Sequence, residues 1–204
     1  MVRKTKHDIE IQIVFDSREV DIDYLKYLLD SRITKDGIKF IECVKECVKP
    51  LDKNTGLPCK ISTTDLTFRY REKDSNSEWI NVPFGIELKK KLDIFSSLYL
   101  KKNRDNLYFE LQRCVDYGIS LYFISTNSYY DTLKQLKEIK KFNNPKSSTN
   151  IINTHFEQLT EFTKKLSDSG YGSIIISGNS TEMLAWTIKR CIKHYIAKNK
   201  LQMW

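Results

Sequence analysis

Residues 85–124, with the sequence GIELKKKLDIFSSLYLKKNRDNLYFELQRCVDYGISLYFI, carry the clearest structural pattern in the chain. The first four residues end a strand that is predicted over Trp79–Leu88. Apolar side chains then recur at helical spacing, which predicts one long helix over residues 91–116. Gly118 is expected to end this helix, and the continuous apolar run Ile119–Ile124 predicts the next strand. Strand, helix and strand in this order indicate an α/β domain.

The residues before this unit predict a strand, a helix and several shorter elements. The segment Ile9–Phe15 (IEIQIVF) alternates apolar and polar residues and then becomes fully apolar, as expected of a strand that enters a core. Leucines at helical spacing predict a helix that Asp21 or Asp23 caps, and a similar period continues over residues 40–48. A loop is predicted over residues 50–58. Two more strands are predicted, at Cys59–Ser62 and Leu66–Tyr70.

The residues after the unit predict three helices and one strand. A basic amphipathic helix is expected over residues 129–141, followed by a polar loop over 142–150. Thr154 and Glu157 form a capping-box pattern for a helix that runs to about Ser167. A strand is expected at Ser173–Ser177, and Ser180 or Thr181 is expected to cap the last helix. The predicted fold is therefore α/β, with a mixed sheet between helices and a single domain over residues 1–204.

Composition and charge set limits on the function. The chain has 204 residues and a formal net charge of +8, and its 40% hydrophobic content is enough for a core. Residues 101–204 hold sixteen basic and nine acidic side chains, whereas residues 1–100 are nearly balanced. The segment Met183–Trp204 has five basic residues and no acidic one. This distribution suits a polyanion such as nucleic acid, and an ordinary solvated lysine-rich surface is the alternative.

The cysteines and the N-terminus indicate an intracellular protein. Five cysteines, an odd number, and a charged N-terminus without an apolar segment predict reduced thiols in a cytoplasmic or nuclear compartment. Cys43 and Cys47 have the spacing of one helix face, but a zinc site needs further ligands, so buried thiols are the preferred interpretation. No apolar run is long enough for a membrane span.

Three carboxylates lie at or beside the ends of predicted strands. Asp16 follows the first predicted strand, Asp65 lies between two strands, and Glu87 ends a third. Neighbouring strands can bring such residues to a common edge, and carboxylate oxygens are the ligands that Mg²⁺ prefers. Lys89 is two residues after Glu87, so on a strand both side chains point to the same side. An ammonium there can orient water or neutralise charge on a phosphate. The alternative is that Glu87 and Lys89 are ordinary charges at the end of a strand.

The segment GIELKKKLDIFSSLYLKKNRDNLYFELQRC contains a recognisable series of polar residues. Glu87 and Lys89 end the strand, Asp93 follows four residues later, and Ser97 and Arg104 lie further along the predicted helix. This series resembles the core motif of the XPF-type structure-specific endonuclease domain, which the archaeal helicase-nuclease Hef shares. Leu88 stands where that family has Arg.

Other segments extend the resemblance, in the same order, from about Ile9 to Lys200. IVFDSREV resembles the family's first strand with its acidic and basic residues, and TTDLTF resembles its Gly-Asp-Tyr segment. The resemblance implies a restriction-endonuclease-like mixed central sheet flanked by helices. No tandem helix-hairpin-helix module, which helps family members to bind branched DNA and to dimerise, is expected within residues 1–204.

The resemblance also implies an activity and a set of site residues. It implies hydrolysis of DNA phosphodiesters with Mg²⁺ or Mn²⁺, in branched or flap-type DNA during repair, recombination or replication. The residues implied in catalysis are Asp16, Asp65, Glu87 and Lys89. The implied metal ligands are Asp16, Asp65, Glu87 and the carbonyl of Leu88, with Glu19 as a secondary acid. The expected DNA contacts are Arg18 and Arg104, together with the basic residues Lys189, Arg190 and Lys193 of the last helix.

Three functions remain open from the sequence. The first is an active endonuclease, and the second is a catalytically inactive DNA-binding or scaffold subunit of the same fold, which Leu88 in place of Arg permits. The third is an RNA-binding or protein-interaction domain. The resemblance further implies a homodimer or a heterodimer through the last two helices, and a compact size of this kind fits a virus- or phage-encoded protein.

Overall fold

The computed structural model describes residues 9–17, 23–29, 32–33, 38–41, 43–60, 64–72, 78–89, 93–126, 134, 145–170, 172–178 and 180–199. Within these ranges the helices are α1 (Asp23–Leu29), α2 (Asp93–Tyr99), α3 (Lys101–Asp116), α4 (Pro145–Ser169) and α5 (Thr181–Lys198). The strands are β1 (Ile9–Asp16), β2 (Arg32–Ile33), β3 (Ile38–Phe40), β4 (Val44–Glu46), β5 (Leu66–Glu72), β6 (Ile80–Asn81), β7 (Phe84–Lys89), β8 (Ser120–Ser125) and β9 (Gly172–Ile176).

The strands form one mixed sheet, and the predicted α/β class is therefore confirmed. Its main path is β2-β3-β1-β5-β7-β8-β9, with β4 paired to β1 and β6 paired to β5. The strand β5 is antiparallel to both β1 and β7, whereas β7, β8 and β9 are parallel to one another. It follows that β1, β7, β8 and β9 all run in the same direction. Their carboxyl ends lie at one edge of the sheet, which we call the carboxyl edge.

Helices cover the two faces of the sheet with separate cores. On the first face, Phe68 and Phe84 pack edge-to-face against Tyr195 of α5, and leucines of α1 join the same cluster. On the second face, Phe123 packs against Phe162 of α4, and leucines of α3 complete that cluster. Successive residues of a strand point to opposite faces, so alternate residues of each strand belong to the first-face and second-face cores.

Several predicted elements are confirmed. The strands at Ile9–Phe15 and Leu66–Tyr70 correspond to β1 and β5, and the strand after Gly118 corresponds to β8. Gly118 has a φ of 65°, a left-handed conformation that favours glycine at the end of a helix. Ser180 caps α5, because its side chain accepts a hydrogen bond of 3.1 Å from the backbone N–H of Met183.

The helix predicted over 91–116 is two helices. Leu100, in an extended conformation, separates α2 from α3, and the side chain of Arg104 donates to the carbonyl of Leu98 over 3.1 Å. Side-chain spacing alone did not show the break, because apolar positions continue across it. The helical period over residues 40–48 was also wrong: β3 and β4 pair there with β1. Cys43 and Cys47 therefore do not share a helix face.

The region around residue 150 also differs from the prediction. The polar loop predicted over 142–150 is wrong from residue 145 onward, because α4 begins at Pro145, a residue well suited to a first helical position. The capping box is wrong as well, because Thr154 lies inside α4 rather than at its start. The strand predicted over Trp79–Leu88 is divided between β6 and β7.

Some predictions lie outside the described residues. The amphipathic helix over 129–141 does so except at residue 134, as do residues 61–62 of a predicted strand. The described remainder of that strand, residues 59–60, has no strand conformation. All five cysteines are free thiols, and four of them are buried. None of the helices in the described ranges is both long and apolar enough to cross a membrane.

Candidate active site

The three predicted carboxylates occupy adjacent positions on three neighbouring strands. The register pairs Phe15 with Leu66, and Leu66 with Ile86. Asp16 ends β1, Asp65 directly precedes β5 and Glu87 lies near the end of β7, so the three acids lie along the carboxyl edge on neighbouring segments of the sheet. The residues beside them in sequence, such as Phe15, Leu66 and Ile86, belong to the first-face core. By strand alternation the side chains of Asp16 and Glu87 lie on the second face. We call these three residues the acid row.

Backbone hydrogen bonds hold the acid row in place. The N–H of Asp16 donates to the carbonyl of Asp65 over 2.8 Å, and the N–H of Asp65 donates to the carbonyl of Ile86 over 3.1 Å. The side chain of Asp65 adds a further link, because its Oδ2 accepts a hydrogen bond of 2.7 Å from the N–H of Leu88. The three strands are thus tied together at the point where the acids lie.

The row is shielded from solvent, although it lies near an edge. Asp16 is 3% exposed and Glu87 is 8% exposed, whereas Asp65 is partly exposed. Burying a carboxylate is unfavourable unless it is paired or hydrogen-bonded. Glu87 meets this requirement through its ion pair with Lys89.

Lys89 is the cation of the site. Its Nζ lies 2.7 Å from Oε1 of Glu87, and the side chains of the two residues are only 15% and 11% exposed. Burial lowers the pKa of the Lys89 ammonium, but the charge of Glu87 and its hydrogen bond act in the opposite direction, with smaller help from Asp65 and Glu110. The net result is a pKa above its ordinary value of 10.5. Lys89 is therefore a fixed positive charge at neutral pH.

Helix α3 forms the wall beside Glu87. Burial raises the pKa of the Cys114 thiol to about 12, and the charge of Glu87 acts in the same direction. Cys114 is accordingly a protonated, apolar neighbour of the acid row and not a nucleophile. Glu110, also on α3, influences both Lys89 and Cys114 electrostatically. No sequence pattern predicts that Cys114 and Glu110 lie beside Glu87, because α3 reaches the site only through tertiary packing.

Gly85 provides the space that positions Asp65. A Cβ atom at Gly85 would meet the Thr64 side chain, with Oγ1 at 2.8 Å and Cγ2 closer still. Thr64 is buried, and its hydroxyl donates to the carbonyl of Leu66 over 3.2 Å. The glycine therefore lets the residue before Asp65 lie directly against β7. Gly85 is part of the motif GIELKKKLD, but its role depends on a contact between Gly85 and Thr64 that the sequence does not show.

A polar strip continues from the acid row along the second face of β1 and β5. Arg69 donates to Gln12 over 2.6 Å and pairs with Glu46 at 3.1 Å. Arg71 pairs with Glu10 at 2.8 Å, and its guanidinium lies 4.6 Å from the ring centroid of Trp79. The alternation of arginine along β5 is the signal from which the sequence could have predicted this strip.

The residues of the acid row suit a hard divalent cation by their chemistry, since all three supply carboxylate oxygens. In the described part of the chain, however, no group of three or more histidine, cysteine, aspartate or glutamate side chains converges closely enough to hold a metal ion. One oxygen of Glu87 is bonded to Lys89, and one oxygen of Asp65 is bonded to Leu88. Metal binding would therefore use the other oxygens or rearrange these contacts.

The expected DNA contacts have different environments. Arg104 donates to the carbonyl of Leu98 at the end of α2, so it stabilises the α2–α3 junction. Lys189 donates to the carbonyl of Leu28 over 3.0 Å and lies 5.2 Å from the ring of Phe40, so it links α5 to α1. Arg190 is exposed and lies 5.1 Å from the ring of Trp186. Lys193 is partly exposed on the same helix.

The remaining predictions concern two residues after the first strand and the apolar stripe of the last helix. Arg18 and Glu19 lie outside the described residues. The apolar stripe of the last helix, which the resemblance predicts as part of a dimer contact, is buried in the protein's own core: Leu184, Ile188, Cys191, Ile192 and Tyr195.

No protein-family model and no curated protein matches the chain. The geometry of the described residues is therefore the basis for the functional proposal.

Proposed function

We propose that the protein is a divalent-metal-dependent DNA endonuclease with the restriction-endonuclease-like fold that its sequence resembles. The observation that carries the proposal is the acid row, in which Asp16, Asp65 and Glu87 lie at the carboxyl edge on neighbouring segments of the sheet, with Lys89 bonded to Glu87 at 2.7 Å. Acids and one buried cation at the carboxyl edge of a sheet form a combination suited to phosphodiester hydrolysis.

Each residue has a role that follows from its surroundings. Asp65 and Glu87 are proposed as metal ligands with Asp16 beside them, and the carbonyl of Leu88 as a further ligand. A bound Mg²⁺ or Mn²⁺ would supply Lewis-acid stabilisation of the phosphate and a more acidic water. Lys89 holds its proton at neutral pH, so it acts as a positive charge toward the phosphate and not as a general base. Glu19 and Arg18 retain their proposed roles as a secondary acid and a phosphate contact.

DNA with a branch, a flap or a junction between single and double strands is the proposed substrate. Arg190 and Lys193 are the proposed backbone contacts on α5, whereas Lys189 and Arg104 make internal hydrogen bonds that favour a structural role. A dimer, homomeric or heteromeric, and an intracellular reducing location remain part of the proposal. The free, mostly buried thiols are compatible with that location.

Cleavage of defined DNA substrates tests the activity. Single-stranded, duplex, flap, fork and four-way-junction DNA are incubated with the protein in Mg²⁺, Mn²⁺ or EDTA. We expect metal-dependent cuts that Glu87→Gln and Lys89→Met each reduce at least about a hundredfold. Glu157→Gln and Lys164→Met, which change exposed side chains of α4, are the matched controls. Full cleavage by both site variants would contradict the proposed roles.

An inactive DNA-binding subunit of the same fold is the second candidate. Two contacts favour it, because Lys89 and the N–H of Leu88 already occupy one oxygen each of Glu87 and Asp65. Wild-type protein that binds the branched substrates in EDTA, but cuts none of them with either metal, would support this candidate. A binding affinity that falls steeply with rising salt would argue against a role in protein interaction alone.

A further inference from the structure

Four large side chains are exposed on the two packed helices of the first face. Tyr24 and Tyr27 lie on α1, and Met183 and Trp186 lie on α5; each is more than half exposed, with Tyr27 at 74% and Trp186 at 57%. We call these four residues the aromatic patch. The two helices pack against each other. Side chains of this size are rarely left in water together unless they contact a partner.

Hydrogen bonds and ring contacts order the aromatic patch. The rings of Tyr24 and Tyr27 are stacked, with centroids 6.3 Å apart and an interplanar angle of 14°. The hydroxyl of Tyr24 donates to Glu182 on α5 over 2.8 Å, which ties the tyrosine pair to the start of that helix. Trp186 is held by the guanidinium of Arg190, 5.1 Å from its ring centroid. These contacts connect Tyr24 to α5 and Trp186 to Arg190, and the rings remain more than half exposed.

The charge around the patch indicates which partner it suits. Helix α5 carries four basic residues and one acid: Lys189, Arg190, Lys193, Lys198 and Glu182. An exposed aromatic ring beside an arginine can stack on a nucleobase while the cation contacts the neighbouring phosphate. A paired base within a duplex does not offer its face, whereas an unpaired base does. The combination favours single-stranded DNA over an apolar protein surface.

The position of the patch relates it to the acid row. Helix α1 follows the carboxyl end of β1, and α5 begins after the carboxyl end of β9. Both helices thus begin at the carboxyl edge, where Asp16, Glu87 and Lys89 also lie. The patch is on the first face, whereas Asp16, Glu87 and Lys89 point to the second. A DNA strand crossing this edge could reach both.

We propose that the aromatic patch binds the unpaired strand of a DNA substrate by base stacking, with Trp186 as the main platform and Arg190 as its phosphate contact. This inference rests on the proposed function in one respect: the strand that the patch binds is taken to belong to the DNA that is cut at the acid row. Stacking itself needs neither metal nor cleavage, so the two proposals can be tested separately.

Binding is measured by fluorescence anisotropy of labelled oligothymidylate and of a labelled duplex of equal length, in EDTA. We expect Trp186→Ala to weaken oligothymidylate binding about tenfold and to affect the duplex much less. Trp186→Phe, which keeps an aromatic face, should retain most of the affinity and shows that the loss is not one of folding. Phe109→Ala, which removes an exposed ring of α3, is the matched control and should change neither affinity.

Three results would overturn the inference. The first is equal oligothymidylate affinity for Trp186→Ala and wild type, and the second is an equal loss for both DNA forms. The third is conversion of a wild-type dimer into a monomer by Trp186→Ala with unchanged DNA binding, which would assign the patch to a second copy of the chain. If Trp186→Ala loses oligothymidylate binding while wild type cuts nothing, the stacking role stands and the proposed cleavage fails.

Discussion

Lys89 and Glu87 are two residues apart on β7 and form an ion pair of 2.7 Å in which both side chains are largely buried. Neighbouring positions of the strand point to the opposite face, where Ile86 and Leu88 enter the hydrophobic core. One strand thus supplies apolar packing on one face and a charged pair on the other. Proteins rarely bury such a pair for stability alone, because the loss of hydration offsets the attraction between the charges.

The first prediction concerns the energy of this pair. Lys89→Met leaves the Glu87 carboxylate buried without its cation, so we expect a loss of about 3 kcal/mol in the free energy of unfolding. The double variant Glu87→Gln/Lys89→Met removes both charges and should recover at least half of that loss. Urea denaturation of the wild type, both single variants and the double variant gives the coupling energy. Additive effects of the two single changes would contradict a direct pair.

The second prediction concerns alkaline pH. Because the pKa of Lys89 is raised above 10.5 in the folded protein, the stability that it contributes is fully present below pH 10.5. That contribution is lost as the pH rises through the folded pKa. The stability difference between wild type and Lys89→Met should therefore be constant from pH 7 to 10 and should shrink above pH 10.5. Denaturation curves across this range test the expectation, and a difference that disappears near pH 8 would contradict it.

The third prediction concerns acid pH and His155, which is 1% exposed on α4. Burial lowers the pKa of its imidazole to about 4 from 6.5. The unfolded chain therefore binds a proton between these values when the folded chain does not, and stability falls as the pH decreases from 6.5 toward 4. The loss is about 3 kcal/mol. His155→Gln should flatten this part of the stability profile, which denaturation curves between pH 4 and 6.5 measure.

The fourth prediction concerns Gly85. In Gly85→Ala the added methyl group would meet the side chain of Thr64, which is held between strands beside Asp65. Urea denaturation should therefore show a loss of about 1–3 kcal/mol in the free energy of unfolding. Gly85→Ala/Thr64→Ser removes the methyl group that is closest and should restore part of the stability. Gly56→Ala is a poor control because of its positive φ, so Ser173→Ala on the exposed surface of β9 serves instead.

The fifth prediction separates structural cations from DNA-binding cations. Arg104→Ala removes a hydrogen bond to the end of α2 and should cost about 1 kcal/mol of stability with little change in DNA affinity. Arg190→Ala should show the reverse, with unchanged stability, weaker DNA binding and a smaller salt dependence of binding. Thermal denaturation and anisotropy titrations at several salt concentrations measure both. A large loss of DNA affinity in Arg104→Ala with normal stability would restore the role that the family resemblance implies.

Local patterns were enough to predict the elements that contain long apolar runs. The strands β1, β5 and β8 and the cap of α5 at Ser180 follow from periodicity and from capping chemistry, which act within a few residues. Short elements were less predictable. The strands β3 and β4 have three residues each and exist because β1 pairs with both of them. Their sequence, taken alone, continues a helical period.

The sequence by itself determined the α/β class, the alternation that puts Glu87 and Lys89 on one side of a strand, and the basic character of the last helix. Only the tertiary structure decided that Asp16, Asp65 and Glu87 form one row, because strand register is set by pairing between distant segments. It also decided which basic side chains are used internally. Arg104 and Lys189 donate to the backbone carbonyls of Leu98 and Leu28, whereas Arg190 lies over the Trp186 ring. Periodicity acts between near neighbours, whereas register and hydrogen-bond partners depend on the whole fold.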